Sequence, residues 1–321
     1  IYSLKFKSFL FFVPMIAISD KAKQFGVFII KLLIVIAAFY FIYYKLTTDK
    51  RVNLNQLFHF VFQKATYLNV LFILFLTFAN RFLEILKWQN LVSYIKLISI
   101  FEATKQVLGA LTAGIFTPNG LGEYAGKVVY FKKTETKTII FLNLICNGIQ
   151  MILTVVFGLL GLLYLGYFKW SLIIIGVVLV LYIISFFSKN VTVKGYSVGK
   201  LISKINQVPK KIHKKNNVLA IMRYLVFSNQ YYFLFLFFDV HLPYLTIMAS
   251  IAAVYFLASS LPNFQFLDFA VKGSIAVFFF EKLGVSHLVT LFVTTLMWLL
   301  NIVLPVVIGS YFVLKFKPKW N

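Results

Sequence analysis

Long apolar runs separated by short basic stretches dominate this chain. Residues of about 27–45 (VFIIKLLIVIAAFYFIYYK) form the first run long enough to cross a bilayer, which takes about 20 helical residues. Further runs follow at about 67–86, 138–163, 168–187, 218–238 and 243–260. The last, at about 288–314, is long enough to tilt or to kink at Pro305. Pro262 and Gly273 interrupt 261–283, and the stretch 87–137 mixes apolar and polar residues. Residues 8–18 are too short to span. With Lys5 and Lys7 before them they look like a signal peptide, but Lys21, Lys23 and a true span follow at once. The chain opens on Ile1, and Met15 offers an alternative start.

The pattern predicts an all-α, polytopic integral membrane protein. It has about eight transmembrane helices, with broken or re-entrant segments near 108–127 and 259–274. An N-terminal segment (1–26) precedes a single transmembrane domain (27–315) and a basic tail (316–321).

Loop charges orient the chain. The stretch 188–217 carries eight lysines and no acid, and 87–137 carries seven lysines, so both are expected on the cytoplasmic side. Lys21 and Lys23 agree, as does a tail with Lys315, Lys317 and Lys319, provided 261–283 crosses. As a re-entrant hairpin, 261–283 would put the tail outside. Lys50 and Arg51 are a mild exception on the outer side.

Composition sharpens this reading. Of 321 residues 61% are hydrophobic and 13% charged, against about 45–50% apolar and about 25% charged in soluble domains. A soluble enzyme and a disordered chain are both excluded. The net charge of +23 lies between apolar runs, so it points to anionic lipid and not to nucleic acid. A lone cysteine, Cys146, and four scattered histidines form neither a disulfide nor a metal-ligand pattern, and no cofactor is expected. Asn190-Val191-Thr192 falls in the cytoplasmic loop as a chance sequon.

Ionisable residues inside apolar segments are functional hypotheses by default. Arg81, Glu84 and Lys87 share one side of a helix and can neutralise one another. Lys87 and Trp88 also read well as a snorkelling lysine and an interfacial tryptophan. The second place, LGALTAGIFTPNGLGEYAGK (108–127), is rich in small residues that allow close backbone approach. Thr117-Pro118-Asn119-Gly120 marks a turn, Gly122 follows, and Glu123 and Lys127 stand at i, i+4 on a new helix. Such a break exposes helix-start amides that attract phosphate. The third place repeats the design: Pro262-Asn263, then Asp268 and Lys272 at i, i+4. Interrupted segments in two halves of a chain point to a transporter's binding site. Asn143, Asn147 and Gln150 form a polar stripe, read as interhelical hydrogen bonding or a polar lining. Arg223 and Asp239 are expected near span ends.

These residues resemble the lysylphosphatidylglycerol synthase transmembrane, or flippase-like, family. The resemblance covers about 27–315. It rests on Arg81…Glu84…Lys87-Trp88, on Gly109…Thr117-Pro118-Asn119-Gly120-x-Gly122-Glu123-x-x-x-Lys127, and on Pro262…Asp268…Lys272-Gly273. It implies an all-helical bacterial inner-membrane protein that moves or binds a lipid: an anionic phospholipid, an aminoacylated one, or a polyprenyl-linked carrier. Lys127 stands where many members have arginine, which alters head-group recognition because lysine cannot form a bidentate fork. Aminoacyl transfer in bifunctional members belongs to a soluble synthetase domain that is not expected here, so lipid movement is expected and not synthesis. In the expected mechanism Glu123 and Asp268 pair with Lys127 and Lys272 while the site is empty.

Two rival readings stand beside this one. A scaffold or regulatory subunit would act through a membrane partner or a homo-oligomer, docking by 188–217. An intramembrane enzyme on lipid phosphates would need an acid-rich metal site, and no Asp-x-x-Asp or His-rich motif is present.

Overall fold

A computed structural model describes residue 36 and residues 66–316, apart from 116, 118, 119, 190, 193–196, 262 and 263. The N-terminal segment, the expected span at 27–45 other than Ile36, and the tail beyond Phe316 lie outside the described residues. So do Pro118, Asn119, Pro262 and Asn263.

Among the described residues every regular element is helical. In chain order they are α1 (Tyr67–Val92), α2 (Ile100–Gly114), α3 (Gly122–Val128), α4 (Thr136–Tyr164) and α5 (Phe168–Phe187). Then come α6 (Val198–Gln207), α7 (Lys210–Phe237), α8 (Tyr244–Ser259) and α9 (Asp268–Glu281). Finally α10 (His287–Trp298) runs through a π-helical turn at Leu299–Val303 into α11 (Leu304–Lys315).

Four described stretches are long and apolar enough to cross a membrane: Tyr67–Val92, Lys133–Tyr164, Phe168–Phe187 and His287–Lys315. α8 is apolar, but its 16 residues reach about 24 Å, less than the ~30 Å hydrocarbon core. α7 starts directly after Pro209, eight residues ahead of the expected run, and takes the end of the lysine-rich loop into its first turns.

Two helices show apolar exposure and polar burial that a water-soluble bundle would not carry. In α1 the buried stripe is Ile73, Thr77, Asn80, Glu84, Lys87 and Leu91, which recur at helical spacing. Phe72, Phe75 and Phe78 are exposed on the same helix. In α5 only Ser171 is buried, while Leu172, Val177, Leu181 and Ile184 are exposed. In water that surface would cost about 25 cal/mol per Å². In lipid it is the favourable solvent contact, and polar groups must turn inward to find partners.

Small residues set three close helix crossings. Gly158 and Gly161 of α4 lie on α8; a Cβ at Gly161 would stand 2.5 Å from the Ala249 carbonyl oxygen, and one at Gly158 would overlap Phe256. Gly309 of α11 lies on α2, where a Cβ would overlap the Leu108 carbonyl oxygen and Thr112 Oγ1. α2 and α3 fold back on each other as a tight hairpin. There a Cβ at Gly126 would come within 2.8 Å of Ala110 Cα, and one at Gly122 within 2.6 Å of the Ala113 carbonyl oxygen. Without directed hydrophobic attraction between helices in lipid, such approach supplies van der Waals packing instead. α8 and α9 form a second hairpin around the other break.

α2 begins with a capping box. Ser99 Oγ accepts from the Glu102 amide at 3.1 Å, and Glu102 Oε2 accepts from the Ser99 amide at 3.2 Å. Ser99→Ala removes one of these bonds, with an expected loss of about 1 kcal/mol. Reversible unfolding in mixed micelles measures it; an unchanged midpoint would show that the cap contributes nothing.

Candidate functional site

The polar residues of α1 point into the bundle because its opposite face is apolar and meets lipid. Arg81 donates to the Glu84 carboxylate and to the Asn301 backbone carbonyl in the π turn. That carbonyl is available because residue 305, four positions on, is proline and has no amide to bond it. Arg223 of α7 completes the ion triad, with Nη2 3.4 Å from Glu84 Oε2 and Nε donating to Asn80 Oδ1 at 3.1 Å. Asn80 donates to Asn301 Oδ1 at 2.6 Å, Asn301 to Gln230 Oε1 at 3.0 Å, and Gln230 to Thr77 Oγ1 at 2.7 Å. The chain of amides joins α1, α7 and the π turn into one network.

Farther along α1, Lys87 is 1% exposed. It does not snorkel: its ammonium donates to the Cys146 carbonyl at 3.0 Å and to Gln150 Oε1 at 3.4 Å, both on α4. Trp88 is likewise buried, donating to Gln106 Oε1 at 2.7 Å. Lys127, also 1% exposed, sits 4.4 Å above the Trp88 ring and donates to Asn143 Oδ1 at 2.6 Å. Asn147 lies one turn beyond Asn143 on α4, half-buried. Asn143 and Gln150 of the α4 stripe thus serve as acceptors for buried lysines.

The two breaks meet. Gln265, just ahead of α9, donates to Glu123 Oε1 of α3 at 3.0 Å. Gly120 takes φ +68°, a conformation that favours glycine, and a Cβ there would overlap the Gln265 amide, which would have to shift. Trp298 of α10 donates to the Gln265 carbonyl at 3.2 Å and holds the junction.

Two expectations change here. Glu123 and Lys127 stand at i, i+4 but do not pair, because Gln265 takes the carboxylate and Asn143 the ammonium. Asp268 and Lys272 do pair, at 2.6 Å. The amides at the start of α3 are not open to phosphate either. Gly122 N–H bonds Thr117 Oγ1 at 2.7 Å, Glu123 N–H the Gly120 carbonyl at 2.9 Å, and Tyr124 N–H the Leu121 carbonyl at 3.1 Å. Thr117 therefore acts as an internal cap.

A cavity of about 180 Å³ adjoins this network, lined by Arg81, Arg223, Lys272, Asp268, Gln150, Tyr255, Trp298 and Asn301 among others. It presents three cations and one carboxylate. Across the whole cluster, Arg81, Lys87, Lys127, Arg223 and Lys272 face Glu84, Glu123 and Asp268, an excess of two positive charges. Arg81 Nε, Asn143 Nδ2 and Gln150 Nε2 are buried donors without an acceptor. Surplus cations and spare donors together suit an acceptor-rich anion.

Sequence reasoning missed Gln265, Gln230 and Asn301, and singled out Arg223 only as a residue near a span end, with no partner; it joins the triad from α7. Each is a strongly polar residue inside an apolar stretch, the same signal that singled out Arg81. Among the described residues no group of His, Cys, Asp and Glu could hold a metal. No protein-family model matches this chain, and no curated protein matches it.

Proposed function

We propose that this protein is a membrane lipid flippase or lipid-binding transporter. Its cargo on this reading is an anionic or aminoacylated phospholipid or a lipid-linked carrier. The reading places about eight crossings in a bacterial inner membrane, with 188–217 cytoplasmic and broken or re-entrant segments near 108–127 and 259–274. It agrees with the flippase-like resemblance, and it assigns no chemistry on the lipid.

The observation that supports it most is the cavity bearing Arg81, Arg223 and Lys272 against Asp268. A surplus of cations is expensive at membrane depth, and an arriving phosphate offsets that cost. At about 180 Å³ the space is below the usual ligand pocket of ~300–1,000 Å³. It takes a head group, with the acyl or prenyl chains left in the bilayer. Arg223 and Lys272 hold the phosphate by charge-assisted hydrogen bonds. The Glu123–Gln265 bond joins the two hairpins and is the contact that parts when one moves against the other.

Reconstitution in proteoliposomes tests this with a fluorescent anionic phospholipid. Arg223→Gln and Lys272→Gln should each slow its movement about ten-fold or more, since one charged hydrogen bond contributes about 1.5–3 kcal/mol. Lys211→Gln, at an exposed position, should not. Rates equal to wild type in both cavity variants would remove the site assignment.

A further inference from the structure

A second cavity, of about 550 Å³, opens where α2, the segment after α3 and the end of α11 meet. Its volume is that of a ligand pocket. Lys96, Lys105 and Lys315 line it, and among the described residues none of the three forms an ion pair. Glu102 is the carboxylate on its wall, already engaged by the Ser99 amide.

Each lysine is held by a neutral aromatic side chain instead. Lys96 lies 4.6 Å from the Phe131 centroid and Lys105 4.2 Å from Phe101, while Lys315 donates to Tyr311 Oη at 2.6 Å. A ring face steadies an ammonium without neutralising it. The rest of the wall is built to keep its shape. Phe101 meets Phe312 edge-on at 6.1 Å, and Tyr130 meets Phe316 at 4.8 Å. Tyr130 donates to the Lys105 carbonyl at 3.3 Å, and Gly109 leaves room for it, since a Cβ there would stand 2.7 Å from Tyr130 Oη. Burial pushes the Tyr130 hydroxyl up to about 12, so it stays neutral at any physiological pH.

We propose that this cavity binds the phosphate of an anionic lipid, with the three lysines around the head group and the Phe101 and Phe312 rings along its chain. The lipid is favoured over a free anion by what surrounds the lysines. Phe101 and Tyr311 of the lining are both exposed, an aromatic surface that suits a chain and not water. Charge and position agree, because Lys96, Lys105 and Lys315 come from the two basic segments that loop charge assigns to the cytoplasmic side. The pocket also touches the central cluster: Gln106 lines it and holds the Trp88 indole, on whose ring Lys127 sits. The assignment concerns binding alone and stands whether or not the protein moves lipid.

Titration of the purified full chain in zwitterionic detergent tests it, with dihexanoyl phosphatidic acid, dihexanoyl phosphatidylcholine and inorganic phosphate as probes. Phosphatidic acid should bind at least about ten-fold more tightly than either of the others. Lys105→Gln/Lys315→Gln should weaken it about ten-fold or more, while Lys211→Gln, outside the pocket, should leave it unchanged. If the double variant does not fold, Lys96→Gln, at an exposed side chain, carries the same test with a loss of about five-fold. Phosphatidic acid and phosphatidylcholine binding alike, or lysine variants binding like wild type, would overturn the site. Inorganic phosphate matching phosphatidic acid would overturn the lipid assignment and leave a free-anion pocket.

Discussion

Replacing Glu84 with glutamine should destabilise the folded protein by about 3–5 kcal/mol, the cost of breaking a buried ion pair from one side. Glutamine keeps the shape of the side chain, so packing is not the variable. What changes is charge. Glu84 is the carboxylate that both Arg81 and Arg223 face, and its side chain is 11% exposed. Without it two guanidiniums lie close together at membrane depth, and arginine does not escape by losing a proton. A second substitution separates this cause from a general loss of fold. Adding Arg81→Met to Glu84→Gln removes one of the stranded cations, so the double variant should be less unstable than the two single losses combined. Reversible unfolding in mixed micelles provides all four midpoints of the cycle. Strict additivity would mean that the triad is not energetically coupled.

The second large effect is steric. Gly309→Ala should cost about 3 kcal/mol, at the upper end of overpacking. The new methyl would meet the Leu108 carbonyl oxygen and Thr112 Oγ1, and neither can retreat. The first is helix backbone. The second is buried and bonded to the Leu108 carbonyl at 3.1 Å and the Val306 carbonyl at 3.2 Å, so it ties α2 to α11. Gly148→Ala is the matched comparison. It too lies inside a long helix, but a Cβ there meets nothing within 4 Å. That substitution should be neutral or stabilise by up to about 1 kcal/mol, through helix propensity alone. If both variants melted alike, close approach of α2 and α11 would not be what Gly309 provides.

How far these features could be read in advance depends on whether their cause is local. The small residues at 108–127 announce a close hairpin, because an absent side chain limits approach whatever the partner is. Arg81 and Glu84 announce a buried pair for a similar reason: three residues apart in one helix, they meet wherever that helix goes. Partner choice across helices is not local. Spacing allows Glu123 to reach Lys127, yet the carboxylate goes to Gln265, 142 residues on, and the ammonium to Asn143. Lys87 likewise has the stem to snorkel, and turns inward only because α4 offers a carbonyl and an amide oxygen at the right depth. Arg223 joins the triad because α7 lies along α1, a fact of assembly that no window of residues contains. The expectation of eight crossings rests partly on 27–45, outside the described residues, and four long apolar helices are what the described part provides.

The π turn at Leu299–Val303 carries a consequence for chain length. Because Pro305 withholds its amide, the wall of the network includes a main-chain oxygen, an acceptor that no codon change at position 301 can remove. Its placement depends on how many residues precede the proline. Losing one from this turn would rotate everything downstream by about 100°. Gly309 would swing off Leu108, and the Asn301 carbonyl would leave Arg81. A one-residue insertion or deletion in this segment is therefore expected to be far less tolerated than an exchange of one of its apolar side chains.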